Sequence, residues 1–124
     1  MHVGGFRAYQ GAQFTEGALY EGHYLCSQGE TGMALRVDEV RGQRVAGVFS
    51  FFHEPTNVRG SFVIQGELSP RGEIVFQPRE WIEHPENYVA VPFRLSLTDD
   101  GQGLSGSVMH ASCGTMEAHR VNGR

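Results

Sequence analysis

Three histidines stand beside acidic or nucleophilic side chains: His53-Glu54, His84 among Glu80, Glu83 and Glu86, and His110 just ahead of Ser112-Cys113. Two imidazoles and one carboxylate suffice for zinc when they converge. A hydroxyl or thiol next to an imidazole is the start of a nucleophilic site. The spacing argues against both chemistries. No pair of these histidines follows a metal-ligand interval, and no acid is placed in sequence to orient His110 as the third member of a triad. Scattered polar loop residues are the simpler reading, and the sequence implies no metal and no cofactor. His23 and His119, with Glu21 and Glu117, read as a solvated face of two strands.

The most unusual stretch is Gln77–Tyr88, QPREWIEHPENY, which carries the single tryptophan, Trp81, and two of the five prolines. Its lack of alternation makes it the one long connection in a chain of tight turns, and long connections in compact domains tend to be functional. Trp81 has two roles open to it, a plug folded over the core or an exposed recognition anchor. Ile82 and Pro85 beside it favour the plug. The candidate binding set is Trp81, His84, Tyr88 and Arg79 from this stretch, His53, Glu54, Asn57 and Arg59 from a second loop, and Tyr24.

What must position these residues is a β scaffold. The chain has 124 residues, 40% hydrophobic and 19% charged, with seventeen glycines and no repeat, a composition suited to one globular domain with many turns. A net charge of −4 lacks the basic footprint of a nucleic-acid or anionic-membrane binder. All ten basic residues are arginine, a compositional bias without mechanistic content. No apolar run reaches the roughly 20 residues of a membrane span. Residues 1–17 read as a flexible leader, with Phe6, Tyr9 and Phe14 available to pack on one end of a barrel domain spanning 18–124.

Period-two alternation then recurs over Leu19–Cys26, Gly32–Asp38, Val45–Phe52, Ser61–Leu68, Glu73–Gln77, Val89–Leu97, Leu104–Met109 and Thr115–Val121, which predicts an all-β fold. Eight short sequential strands close most simply into an antiparallel up-and-down barrel, which leaves no exposed edge. Counting strands alternately up and down puts 27–31, 53–59, 78–88 and 110–114 at one mouth, and compact glycine turns at the other end. The mouth is therefore the expected working end. Inward glycines at 22, 47 and 66 read as close backbone packing.

Cys26 ends the first strand and Cys113 opens the last, both at the mouth, so a disulfide is expected over two buried thiols. Direct pairing of the cysteines conflicts with an inward Met116 and Ala118, a conflict that a bulge after Cys113 or an offset pairing would resolve. A disulfide in turn favours a periplasmic or secreted protein. Ala46, Val48, Phe52, Val63, Val75 and Ala90 fall on the outer faces of strands three to six, a patch suited to a homodimer or to docking of another domain.

The residues Gly22-His23-Tyr24-Leu25-Cys26-Ser27-Gln28-Gly29, then Trp81-Ile82, Pro85 and Tyr88, then Gly106-Ser107-Val108 and Cys113, resemble a small β-rich module of bacterial proteins that has no assigned activity. The meander as a whole resembles the avidin and lipocalin (calycin) barrels, which implies small-ligand binding at the mouth. The Tyr24-Leu25-Cys26 opening is similar to bacterial inhibitors of C-type lysozyme, although their Ser-Gly-x-x-Tyr loop has no counterpart in this sequence. These readings converge on a non-enzymatic binding module that engages a small molecule, glycan or protein surface at the mouth. The alternative is a periplasmic or secreted inhibitor of a hydrolase such as lysozyme. A metal-dependent hydrolase comes last.

Overall fold

The computed structural model describes residues 11–123. Eight strands form a closed antiparallel barrel in which each strand pairs with its neighbours in sequence and the last returns to the first. They are β1 (Leu19–Cys26), β2 (Gly29–Arg41), β3 (Arg44–His53), β4 (Val58–Glu67), β5 (Glu73–Glu83), β6 (Phe93–Leu97), β7 (Gly103–Val108) and β8 (Cys113–Arg120). Alternation puts Leu35, Phe49, Ile64, Phe76, Leu95 and Met116 inside, where each is almost fully buried. At eight strands a barrel interior is just wide enough to be filled by such side chains, and here Phe49 packs against Tyr24, Phe51, Phe62 and Phe93.

Glycine lets the strands cross closely. A Cβ at Gly22 would collide with the Glu117 carbonyl, and one at Gly47 with the Arg36 carbonyl. The inward glycines therefore seat backbone against backbone and leave no room for a ligand.

The mouth is bounded by a two-residue turn at Ser27–Gln28, a 3-10 turn at Glu54–Thr56, the nine residues between β5 and β6, and the turn between β7 and β8. The opposite end, here the base, holds the Gly42–Gln43 turn and the two five-residue connections 68–72 and 98–102. The first mouth loop is thus shorter than expected, because β2 begins at Gly29 and Thr31 lies inside it.

The largest departure from the sequence reading concerns Gln77–Tyr88. Residues through Glu83 continue β5, and the irregular segment is 84–92, so Val89 and Ala90 lie outside β6. Two register shifts explain why no alternation is visible. Between the pairs Ile64↔Pro78 and Phe62↔Trp81, β5 advances three residues to two on β4, and a second extra residue precedes Ser61↔Glu83. Each bulge breaks the period of two. Pairing of β5 with β6 stops at Phe76↔Phe93, so the upper half of β5 has a sheet partner on one side only. That is where Pro78 is tolerated.

Cys26 and Cys113 form a disulfide that ties β1 to β8. The conflict over facing is resolved by a bulge: Tyr24 pairs with Met116 but Cys26 with Cys113, leaving one extra residue in β8. Met116 and Ala118 accordingly stay buried. The expected solvated face is also present, with Glu21 opposite His119 and His23 opposite Glu117.

The base is closed by the segment before β1. Phe14 is buried, edge-on to Tyr20 and Phe76 at ring-centre distances of 6.4 and 5.9 Å. The Tyr20 hydroxyl donates to the Gly101 carbonyl at 2.8 Å, and burial pushes its pKa up. Phe14 therefore packs as an integral part of the barrel, whereas Phe6 and Tyr9 lie outside the described residues.

Candidate functional site

The barrel mouth is covered by an aromatic cluster built on the end of β5 and on the 84–92 strap. Trp81, half-buried, packs edge-on against Phe62 (5.1 Å) and Phe51 (6.4 Å). The His84 imidazole covers one Trp81 face at 4.0 Å and 5°. Tyr88 stacks on Phe51 at 5.3 Å and 19°. This is the geometry of a plug. The strap is held by its own hydrogen bonds: His84 Nε2 donates to the Tyr88 carbonyl at 2.8 Å, and Met109 N donates to Pro92 O at 2.9 Å. Asn87 takes a positive φ of 66°, a turn conformation that asparagine tolerates better than most residues. Pro85 sits over Gly60, where a Cβ would strike Phe51 and Pro85 Cδ.

Beneath the strap lies a cavity of about 40 Å³, lined by Tyr24, Phe49, Phe51, Phe62, Tyr88, Val89, Val91 and Phe93, with Val108 and Met116. That is far below the ~300–1,000 Å³ of an ordinary small-molecule pocket. Tyr24 is 8% exposed. Its pKa is pushed up to about 12, chiefly by burial and also by the nearby Tyr88 phenol, while a hydrogen bond with Thr31 works in the opposite direction.

The remaining expected site residues divide among three places. His53 is buried and internally committed: Nε2 donates to the Gln28 carbonyl (3.2 Å) and Nδ1 accepts from the Thr56 hydroxyl (2.8 Å). It fastens the β1–β2 turn to the 3-10 turn, a structural task that ends its candidacy as an open ligand. Glu54 and Asn57 are exposed on that same turn at the mouth, Asn57 with φ 59° as its C-cap. Arg59 and Arg79 were expected on the mouth rim. Arg59 stands exposed at the start of β4 beside the mouth turn, paired with Phe52 and with its guanidinium 5.5 Å from the centre of that ring, whereas Arg79 stands exposed lower on β5, just past Pro78, which pairs with Ile64.

The histidines do not converge. His53 and His84 are tied as described, and His110 Nδ1 accepts from the Ser112 backbone N–H at 3.2 Å. Among the described residues no group of three His, Cys, Asp or Glu is arranged to hold a metal ion. Ser112 Oγ lies 2.9 Å from His110 Nδ1, but Cys113 is bonded to Cys26 and carries no thiolate. The arrangement is a local turn.

Sequence reasoning missed a shallow groove of about 480 Å³ on the outer wall. Cross-strand pairing sets Glu21, Ala34, Ser50, Ser61 and Glu83 in one row across five strands. Small side chains form its floor, and Phe52 and Arg59 its upper edge. The row becomes visible only once the register is known. Of the expected outer apolar patch, Ala46, Val48, Val63 and Val75 are partly exposed on strands and Phe52 is exposed, while Ala90 belongs to the strap. No helix among the described residues is long and apolar enough to cross a membrane.

No protein-family model matches the chain, and no curated protein matches it.

Proposed function

We propose that this chain is a non-enzymatic interaction module that docks a partner protein on the mouth end of its barrel. One observation carries the reading: large apolar side chains are exposed almost entirely at that end. Among the described residues, Leu25, Phe52, Ile82, Val89 and Met109 all lie on the strap or within two residues of a mouth turn, and only Val121 lies at the base. Val89, 71% exposed, crowns the strap, and Ile82 follows at 59%. Apolar side chains concentrated on one face of a water-exposed domain mark an interaction site. Trp81, His84 and Tyr88 act as the rigid support beneath that face, with Glu54 and Asn57 on its polar rim.

The filled interior favours a partner's surface over a small molecule or glycan enclosed within the barrel. The avidin-like and lipocalin-like reading is carried as architecture alone, a closed meander that works at its mouth. The Cys26–Cys113 disulfide favours an oxidising compartment, hence a periplasmic or secreted protein.

The test is affinity capture with three baits: the wild type, Val89→Glu at the mouth and Arg71→Glu at the base. A partner retained by wild type and Arg71→Glu but lost from Val89→Glu supports the reading. Partners retained equally by all three baits reject it.

The strap favours a second reading, inhibition of a hydrolase such as lysozyme by insertion of the strap into its cleft. A turbidity assay with a C-type lysozyme decides this: inhibition at micromolar protein that Val89→Glu abolishes would favour it, and an unchanged lysis rate dismisses it.

A further inference from the structure

We infer that the outer-wall groove is a binding site for a linear polyamine, a flexible chain with an ammonium group at each end and at least one between. The groove holds about 480 Å³, within the ~300–1,000 Å³ of small-molecule pockets. Its floor is low because the side chains there are those of Gly32, Ala34, Ser50 and Ser61. Its two ends are exposed carboxylates, Glu21 on β1 and Glu83 on β5. Among the described residues, the side chains of Glu21, Ser50, Ser61 and Glu83 make no hydrogen bond or ion pair, so all four are free to meet a ligand.

The spacing of these groups selects the ligand. The row Glu21–Ala34–Ser50–Ser61–Glu83 crosses four strand-to-strand steps, roughly 19 Å at ~4.8 Å per step. Each glutamate side chain covers part of that span, which leaves a gap that spermine bridges and putrescine does not. Terminal ammonium groups meet the two carboxylates, and methylenes lie over Gly32 and Ala34. Ser50 and Ser61 stand directly opposite each other, and their hydroxyls accept from an internal ammonium. Hydrogen bonds with one ionised partner are the stronger kind. The one arginine on the groove, Arg59, lies over Phe52 on the strands between the two glutamates. Charge held at the two ends stays clear of that guanidinium, and a compact cation centred in the groove would not. The groove shares only Phe52 with the exposed apolar side chains of the mouth, so this site and the docking face stand or fall separately.

The test is an amide-resonance titration of the whole protein with spermine, and with putrescine for comparison, at about 0.15 M salt, where long-range surface attraction is screened. Spermine should shift the resonances of residues 21, 34, 50, 61 and 83 saturably and leave the base turns at 42–43 and 69–72 unchanged. Putrescine should bind at least tenfold more weakly. Glu21→Gln and Glu83→Gln should each weaken spermine about fivefold, the upper range for an exposed ion pair. Glu73→Gln, an exposed position at the base end of β5, should change nothing. Three results overturn the inference: no saturable shift at millimolar spermine, shifts spread evenly over the acidic surface, or an equal loss from Glu73→Gln. The wild-type titration decides the first two without any variant.

Discussion

The two ends of this barrel are both closed by aromatic side chains, but in different ways. At the base Phe14 inserts fully between Tyr20 and Phe76, and the one phenol there has a fixed backbone acceptor in Gly101. At the mouth the cover is layered and only half-buried: Trp81 under His84, Tyr88 on Phe51, a small cavity below and exposed Val89 and Ile82 above. A buried plug contributes chiefly to stability. A cover with an apolar outer surface spends part of that contribution on remaining accessible. The base is therefore the more deeply closed end, and the mouth the end that keeps apolar surface exposed, as the proposed docking requires.

The largest expected effect tests what holds the mouth together. Replacing both Cys26 and Cys113 by serine opens a bridge spanning 87 residues and should cost about 4–5 kcal/mol in the chain-entropy model, read from the urea midpoint. Phe14→Ala should follow at about 3 kcal/mol, the usual cost of emptying a buried aromatic site. A tyrosine kept protonated by burial comes next. The Tyr24 pKa of about 12 lies above its unfolded value of 10, so its contribution is intact below pH ~10 and is lost as pH rises through ~12. That loss amounts to about 2–3 kcal/mol, and alkaline unfolding of Tyr24→Phe should show a correspondingly shallower decline. Trp81→Ala should cost about 2 kcal/mol, less than Phe14→Ala despite the larger side chain, because Trp81 is only half-buried. The reverse order in urea unfolding would break the distinction between the ends. Val89→Glu should change stability by less than about 0.5 kcal/mol, so any loss of binding it produces belongs to the surface.

Much of this was legible in the residues. Alternation in Met33-Ala34-Leu35-Arg36-Val37 and its counterparts reports a half-buried sheet directly, and eight such runs leave few topologies. The disulfide followed from strand parity, and Met116 and Ala118 needing to face inward left a bulge after Cys113 or an offset pairing as the two resolutions, of which the structure has the bulge. The strap was not legible, because bulges in β5 erased its period while Val89-Ala90-Val91 alternates like a strand without having a partner. His53 misled for a similar reason. Its partner Thr56 lies three residues on in the adjoining turn, but its other partner, the Gln28 carbonyl, comes from a turn 25 residues away, and nothing local announces that second bond. The outer row from Glu21 to Glu83 depends on register across five strands, information that no single strand carries.

The most direct test of the mouth as a protein-docking face is site-specific photocrosslinking in the cell of origin. A benzophenone side chain is placed at Val89 in one variant and at Arg71, in the base, in another. The account predicts a discrete crosslinked species from position 89 and none from position 71. No crosslinked species from position 89, or equal crosslinking from both, would contradict it.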